Sequence, residues 1–248
     1  MSKNFPFIVP GLKVYNLIYG FIDKYYHQRR ILKYLKDLKK KKLIENYDEI
    51  FDVGAHTGEY IKLFLKLNKY AKINAFEPLK TIYDKLVKRF IDNKNVNCSN
   101  IAIGEKKETL EINIMEHLES STLSEINYQS NYIVKKSIVF GIPINKLMIR
   151  KEKVQVQSID NIFGQENLNK IDLLKIDTEG FVYEIFKGCE QSIQKIKIIL
   201  VEIHHSDLYN DHHPDKVHNF LVQSNFELIK SFKFPFLNWE DRLYLNSF

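Results

Sequence analysis

Short apolar runs alternate with helical patterns along most of this chain, and that alternation leaves few folds open. The runs are Glu49–Val53, Lys72–Phe76, Asn95–Ile101, Ile171–Ile176 and Lys197–Ile203. Helical periodicity fills Gly58–Leu67, Leu79–Ile91, Gly180–Ile193 and His213–Ser224. Strands that are apolar at nearly every position are buried on both faces, which requires a mostly parallel sheet with helices above and below. Two later strand-like runs, Phe226–Ser231 and Arg242–Leu245, are separated by the turn-rich Lys233–Trp239. They predict a hairpin that adds an antiparallel edge. The expected fold class is α/β, an open doubly wound sheet. At 248 residues one such core buries about three-quarters of the unfolded surface, so folding needs neither a disulfide nor a structural metal.

The rhythm breaks at Glu108–Arg150. Where a crossover helix is due, the sequence gives strand-like Leu110–Met115, a polar run at Glu119–Ser130, and apolar, basic Tyr132–Arg150 interrupted by Gly141 and Pro143. A long irregular insertion in such a domain reads as a lid or binding loop, here about 115–150. The main domain is taken as residues 45–248, with residues 1–44 as a helical appendage packed on it.

The chain's net charge of +6 belongs to that appendage. Between Lys24 and Lys42 nine basic residues face one acid, Asp37, so the rest of the chain is slightly acidic. Ile31, Leu32, Leu35 and Leu38 recur at helical spacing there and predict a helix with an apolar stripe and a basic face. Such a helix either docks on the domain with a solvated charged face or lies on an anionic membrane through residues 24–42. The apolar stretch before it, Leu12–Ile22, is shorter than the roughly 20 residues that span a bilayer, and no small-residue cleavage site follows it. Two cysteines, Cys98 and Cys189, show no pairing pattern and suit a reducing compartment. A cytoplasmic location, peripheral to the inner face of a membrane, is the expectation.

The motifs that carry chemistry sit at strand ends. Asp52-Val-Gly54-Ala-His56-Thr-Gly58 follows the first strand. Glycines at a strand-to-helix turn let the backbone approach a ligand. The spacing fails the GxGxxG template, and an acid at the head of the turn suits a ligand with an amino-acid moiety. One unit later Ala75-Phe76-Glu77-Pro78 puts Glu77 at a strand tip, where an acid can accept both ribose hydroxyls of an adenosine. Lys175-Ile-Asp177-Thr-Glu179-Gly180 places two carboxylates on the rim, and Val201-Glu-Ile-His204-His205 brings an imidazole to it.

Together these strings resemble the FkbM family of S-adenosylmethionine-dependent methyltransferases. The likeness covers about residues 49–205: FDVGAHTGEY, AFEP, NIAIGE, Ser121-Thr122-Leu123, VQSID, KIDTEG and VEIH. It implies a Rossmann-like seven-stranded methyltransferase sheet. It places the methionine moiety of S-adenosyl-L-methionine near Asp52, Gly54, His56 and Gly58, the ribose on Glu77 and the adenine near Asn100, Ile101 and Ala102. Asp177 and Glu179 would line the methyl-transfer end, and S-adenosyl-L-homocysteine would be the product. Family members often carry a glutamate where this chain has Val182, so no carboxylate role attaches to that position.

Methyl transfer from a sulfonium is an in-line displacement, so the protein must align the acceptor oxygen and remove its proton. The candidate bases are His204, then Asp177 and Glu179; an unperturbed imidazole titrates near 6.5. The acceptor implied by the family is a small molecule or a glycan, with a sugar hydroxyl as the methylated group. Histidines 204, 205, 212, 213 and 218, with Asp207, Asp211 and Asp215, give a divalent metal site as the weaker reading. Tyr60, Phe181, Tyr183 and Trp239 are candidates for stacking on a sugar ring. The alternative function is a non-catalytic module that keeps cofactor binding and docks through its basic helix. A nucleic-acid partner is not expected, because the Asn/Asp-Pro-Pro-Phe/Tyr string of many such methyltransferases is missing. Oligomeric state is not legible. Deleting residues 1–44 is expected to leave cofactor binding in place.

Overall fold

A computed structural model describes residues 17–117, 120–210, 213–235 and 237–247. The main sheet has seven strands in the order β3-β2-β1-β7-β8-β10-β9. Its members are β1 (Glu49–Val53), β2 (Lys72–Phe76), β3 (Val96–Ser99), β7 (Ile171–Ile176), β8 (Ile196–His204), β9 (Phe226–Lys233) and β10 (Trp239–Asn246). All pairings are parallel except those of β10, which runs antiparallel to both β8 and β9. The C-terminal hairpin is therefore present, but its second strand lies inside and β9 forms the edge. Tucking β10 against β8 buries Leu243 and Tyr244 completely.

Neighbouring residues on each strand feed opposite cores, as near-continuous apolarity requires. Ile50, Ile198 and Leu200 join one cluster, whereas Phe51, Ile199 and Val201 join the other. The first face is covered by α1 (Gln28–Lys40), α2 (Glu59–Phe64) and α3 (Lys80–Phe90). The second is covered by α6 (Ile159–Gln165), α7 (Val182–Lys187) and α8 (Pro214–Gln223), whose Pro214 sits at the first helical turn.

Helix α1 takes a core position. Ile31, Leu35 and Leu38 are 0%, 0% and 2% exposed and pack with Ile50, Phe64, Phe232 and Leu243. Burial of this kind stabilises by about 1.5–3 kcal/mol per side chain. Polar ties reinforce it: the Tyr47 hydroxyl donates to the Leu35 carbonyl at 2.7 Å and Tyr34 to that of Ile229 at 3.1 Å. Residues 17–22 are helical and lead into α1 through a π-helical turn, Asp23–His27. The run Leu12–Ile22 lies partly outside the described residues.

The run read as one strand, Asn95–Ile101, is divided. β3 ends at Ser99, and the chain re-enters a second, three-stranded sheet as β4 (Ala102–Ile103). There β5 (Glu108–Met115) pairs antiparallel with β6 (Met148–Gln157), so the insertion is a long hairpin carrying α4 (Asn131–Phe140) and α5 (Ile144–Leu147) at its tip. Ser130 caps α4 by accepting from the Tyr132 amide, and Gly141 ends it in the left-handed region at φ 66°.

Candidate functional site

β1 and β7 lie side by side where the strand order reverses, which is where open α/β sheets leave a crevice at their carboxyl ends. The chain leaving β1 turns at Gly54, φ 78°, where an added Cβ would lie 1.8 Å from the Asp177 carbonyl oxygen. Only glycine permits that approach. Gly58, φ 85°, serves packing instead: a Cβ there would meet the Phe90 ring at 2.3 Å, and the residue does not line the crevice. His56 also adopts a positive φ, 47°, and does line it.

The crevice encloses about 1220 Å³, mouth included, and brings together the ends of the four motifs. Asp52 lies at its floor, 0% exposed, and neither carboxylate oxygen has a hydrogen-bond partner among the described residues. Burial raises its pKa to about 6, against the pull of Lys175. An unpartnered buried carboxylate is costly unless a cationic ligand completes it. Glu77 forms a second wall. Its Oε1 accepts from the Leu79 amide at 2.8 Å and its Oε2 from the His56 amide at 3.0 Å, which fixes the carboxylate in the loop. Burial raises its pKa too. Ile101 and Ala102 line the crevice beside it. Asn100 stands behind them; its amide donates to the Glu77 and Pro78 carbonyls at 2.9 and 2.8 Å.

Asp177 closes the floor from β7. The fully buried Lys175 reaches its Oδ2 at 2.9 Å and sits 4.3 Å from the Tyr60 ring centroid. Burial opposes that lysine's charge, but Asp177, Asp52 and Asp241 outweigh it and drive the pKa up. Tyr60 in turn donates to Asp241 at 3.1 Å. Seven carboxylates line the crevice (Asp23, Asp52, Glu59, Glu77, Asp177, Glu179 and Glu202), with Lys175 the sole lysine or arginine among its lining residues.

The imidazole of His204 is not open to the crevice. It is 5% exposed, with Nε2 at 2.8 Å from Glu202 Oε1 and 3.3 Å from Glu179 Oε2. Burial disfavours its charge, yet the two carboxylates prevail and raise its pKa to about 10. At neutral pH it is an imidazolium, unlike the unperturbed base expected from sequence. Glu179 feels burial and then the stronger hold of His204, which keeps it ionised; burial and Asp177 push Glu202 upward. Glu179 is set by a left-handed φ of 50°, by Thr122 on its carbonyl and by the Tyr209 hydroxyl on its carboxylate.

The donor atoms of Glu179, Glu202 and His204 lie within 4.8 Å of one another and are the group among the described residues that could hold a cation. In the arrangement present, the imidazole already serves both carboxylates. The C-terminal histidines do not converge: His205 pairs with Glu240 at 3.1 Å, His218 with the Tyr244 hydroxyl at 3.1 Å, and His213 stands at the N-cap position of α8 without a side-chain capping bond. Asp211 and His212 lie outside the described residues. Of the stacking candidates, Tyr60, Phe181 and Trp239 line the crevice, but Trp239 is buried against Phe234 at 4.4 Å between centroids. Tyr183 packs on the core.

Sequence reasoning missed one wall altogether. Tyr19, Asp23 and Gln28, from the π-helical turn and its flanks, line the crevice, and Gln28 donates to Asp23 at 2.6 Å. Burial raises Asp23 to about 6. The turn had no signal, since a π turn differs from an α turn by one residue of spacing. Glu202, in the VEIH string, stands two residues before His204 on β8 and so on the same strand face; that spacing is the signal that pairs them.

Residues 52–228 match the model of the methyltransferase FkbM domain. Among curated proteins the chain is similar to the 2-O-methyltransferase NoeI of Sinorhizobium fredii, 23% identical over 199 residues, 77% of each chain. It is also similar to the AMB antimetabolite synthetase AmbE of Pseudomonas aeruginosa, 23% identical over 175 residues, which are 62% of this chain and 8% of that one. Among solved structures, the methyltransferase FkbM from Methylobacillus flagellatus superimposes with a TM-score of 0.52 at 15% identity, covering 80% of this chain and 43% of that one. That likeness concerns the fold.

Proposed function

The chain belongs to the FkbM methyltransferase family, and on that premise we propose that it moves the methyl group of S-adenosyl-L-methionine to a hydroxyl of a sugar, as an O-methyltransferase. The observation that carries this reading is Asp52, a buried carboxylate without a partner at the floor of an acidic crevice. A ligand bearing an ammonium and a sulfonium supplies the missing positive charge. The residues present fit that ligand: Asp52 for the ammonium, Gly54 and His56 for backbone approach to the methionine portion, Glu77 for the ribose hydroxyls, Ile101 and Ala102 for the adenine. Gly58 and Asn100 support these groups from behind.

S-adenosylmethionine brings an activated methyl and a thioether leaving group. The protein's own tasks are placement and proton removal. Asp177, tied to Lys175, fixes the floor at the methyl-transfer end. Glu179, His204 and Glu202 act as one proton-accepting unit. One oxygen of each carboxylate, Glu179 Oε2 and Glu202 Oε1, faces the imidazole Nε2, so the three groups titrate as one unit rather than separately. The similarity to a 2-O-methyltransferase supports a saccharide acceptor. The acidic lining disfavours phosphorylated acceptors and nucleic acid.

The test is titration calorimetry with S-adenosylmethionine, with NAD as control. Micromolar binding that disappears in Asp52→Asn supports the reading. A folded chain that binds neither ligand overturns it and moves the weight to a docking module without a cofactor.

A further inference from the structure

The segment that walls the crevice also carries the most exposed apolar side chains of the N-terminal region. Tyr19 and Asp23 face inward, while Leu17, Ile18, Phe21 and Tyr25 are 76%, 55%, 64% and 43% exposed. The spacing 17, 18, 21, 25 is one helical stripe, opposite the inward face. That stripe runs without a gap into a basic one. The Phe21 and Tyr25 rings lie 4.9 Å apart, and the Arg29 guanidinium sits 5.1 Å from the Tyr25 ring. Arg29, Lys33, Lys36 and Lys40 then continue along α1 at four- and three-residue spacing, on the side opposite the buried Ile31, Leu35 and Leu38.

Apolar side chains that stay exposed in a folded chain mark an interaction surface when they are contiguous. The neighbour in this case is a row of cations, in a segment where nine basic residues stand against Asp37 between Lys24 and Lys42. A second protein surface would have to be strongly acidic to meet it. An anionic bilayer meets both halves at once, with the apolar half entering the headgroup boundary and the basic half resting on the phosphates.

We infer that residues 17–40 dock this chain on an anionic lipid surface, through Leu17, Ile18, Phe21 and Tyr25 in the interface and the α1 basic stripe on the headgroups. No helix among the described residues is long and apolar enough to cross a membrane. The inward face of the same segment is crevice wall, so docking brings the crevice rim within about one helix diameter, ~10 Å, of the lipid. Under the reading proposed above, the acceptor is then a saccharide carried on a lipid.

The experiment is vesicle flotation of the full chain, with phosphatidylcholine vesicles alone or containing one-third phosphatidylglycerol. Binding is expected only to the anionic vesicles and is expected to weaken steeply with salt. Ile18→Ser with Phe21→Ser should weaken it at least tenfold, and Lys33→Glu with Lys36→Glu at least as much. These side chains lie outside the crevice, so cofactor titration of each variant reports folding independently of docking. Equal binding to neutral vesicles, or no binding to anionic ones, overturns the inference. So does a concentration-dependent dimer, seen by light scattering and removed by Phe21→Ser, because it assigns the face to a second copy. A failed cofactor titration beside intact flotation overturns the enzymatic reading and leaves the docking surface standing.

Discussion

Asp52 and Lys175 stand opposite each other in the register of β1 and β7, yet the lysine ammonium bonds Asp177 at 2.9 Å and leaves both oxygens of Asp52 without a partner. The pair lies at the centre of the sheet, where water does not repay the omission. Folding therefore raises the Asp52 pKa from 3.8 to about 6. A group whose folded pKa exceeds its unfolded one favours the fold while protonated, below pH 4. That advantage is lost as pH rises through 6, and at neutral pH the ionised carboxylate costs stability. Asp52→Asn should raise thermal stability by on the order of 2 kcal/mol and lower S-adenosylmethionine affinity at least tenfold. In the unaltered chain, affinity should fall as pH drops below about 6. Differential scanning calorimetry beside ligand titration reads both effects, and a less stable variant with intact affinity contradicts the assignment.

Glu77 differs from Asp52 in being doubly held before any ligand arrives. Its two oxygens accept from the amides of Leu79 and His56, and each keeps a lone pair for a ribose hydroxyl. Glu77→Ala should lose the loop's clamp together with the ribose contact: about 1–3 kcal/mol of stability and at least tenfold in cofactor affinity. Glu77→Gln keeps an acceptor for one amide only and should fall between. Unchanged affinity in Glu77→Ala, measured by calorimetry, removes the ribose role.

The group at the tip of β8 has the same sign of shift, but here the raised pKa keeps the side chain charged at neutral pH. The folded pKa of His204 is raised above 6.5 to about 10, so its contribution to stability is complete below pH 6.5 and lost as pH rises through 10. His204→Ala leaves Glu179 and Glu202 facing each other without the charge between them. It should destabilise by roughly 3–5 kcal/mol at neutral pH, with part recovered at pH 5 where a carboxylate takes a proton. In the unaltered enzyme, turnover should rise on the alkaline side of pH 7, as the unit of Glu179, His204 and Glu202 gives up its shared proton. A pH-rate profile flat from 6 to 9 rules this unit out as the base.

Much of this arrangement was legible from the residues alone, because strand apolarity and strand-end acids are local signals. The runs of β1, β2, β7 and β8 and the turn at Gly54 were readable without coordinates. What was not readable depends on pairing at a distance. Arg150–Lys153 in β6 are four charged residues in a row with no alternation, and the partner β5 lies beyond the excursion of residues 116–147, so its strand character shows only once the two are paired. The protonation of His204 follows from Glu179, 25 residues away, reaching the same point. Asp23 joins the crevice only because α1 packs into the core and turns the preceding segment inward.

That packing changes the outcome expected for truncation. Residues 1–44 read in sequence as an appendage on a self-sufficient domain, but Ile31, Leu35 and Leu38 lie among Ile50, Phe64, Ile198 and Phe232, and His27 meets Asp241 at 2.7 Å. Removing three fully buried side chains costs about 5–9 kcal/mol at about 1.5–3 each, against a total domain stability of about 5–15. Leu35→Ala alone should cost about 2–5 kcal/mol. Deletion of residues 1–44 should therefore give a chain without a cooperative thermal transition and without cofactor binding. Circular dichroism on the truncated chain decides it: a sharp unfolding transition with retained S-adenosylmethionine affinity would show that the sheet closes over Ile50 and Leu200 without α1.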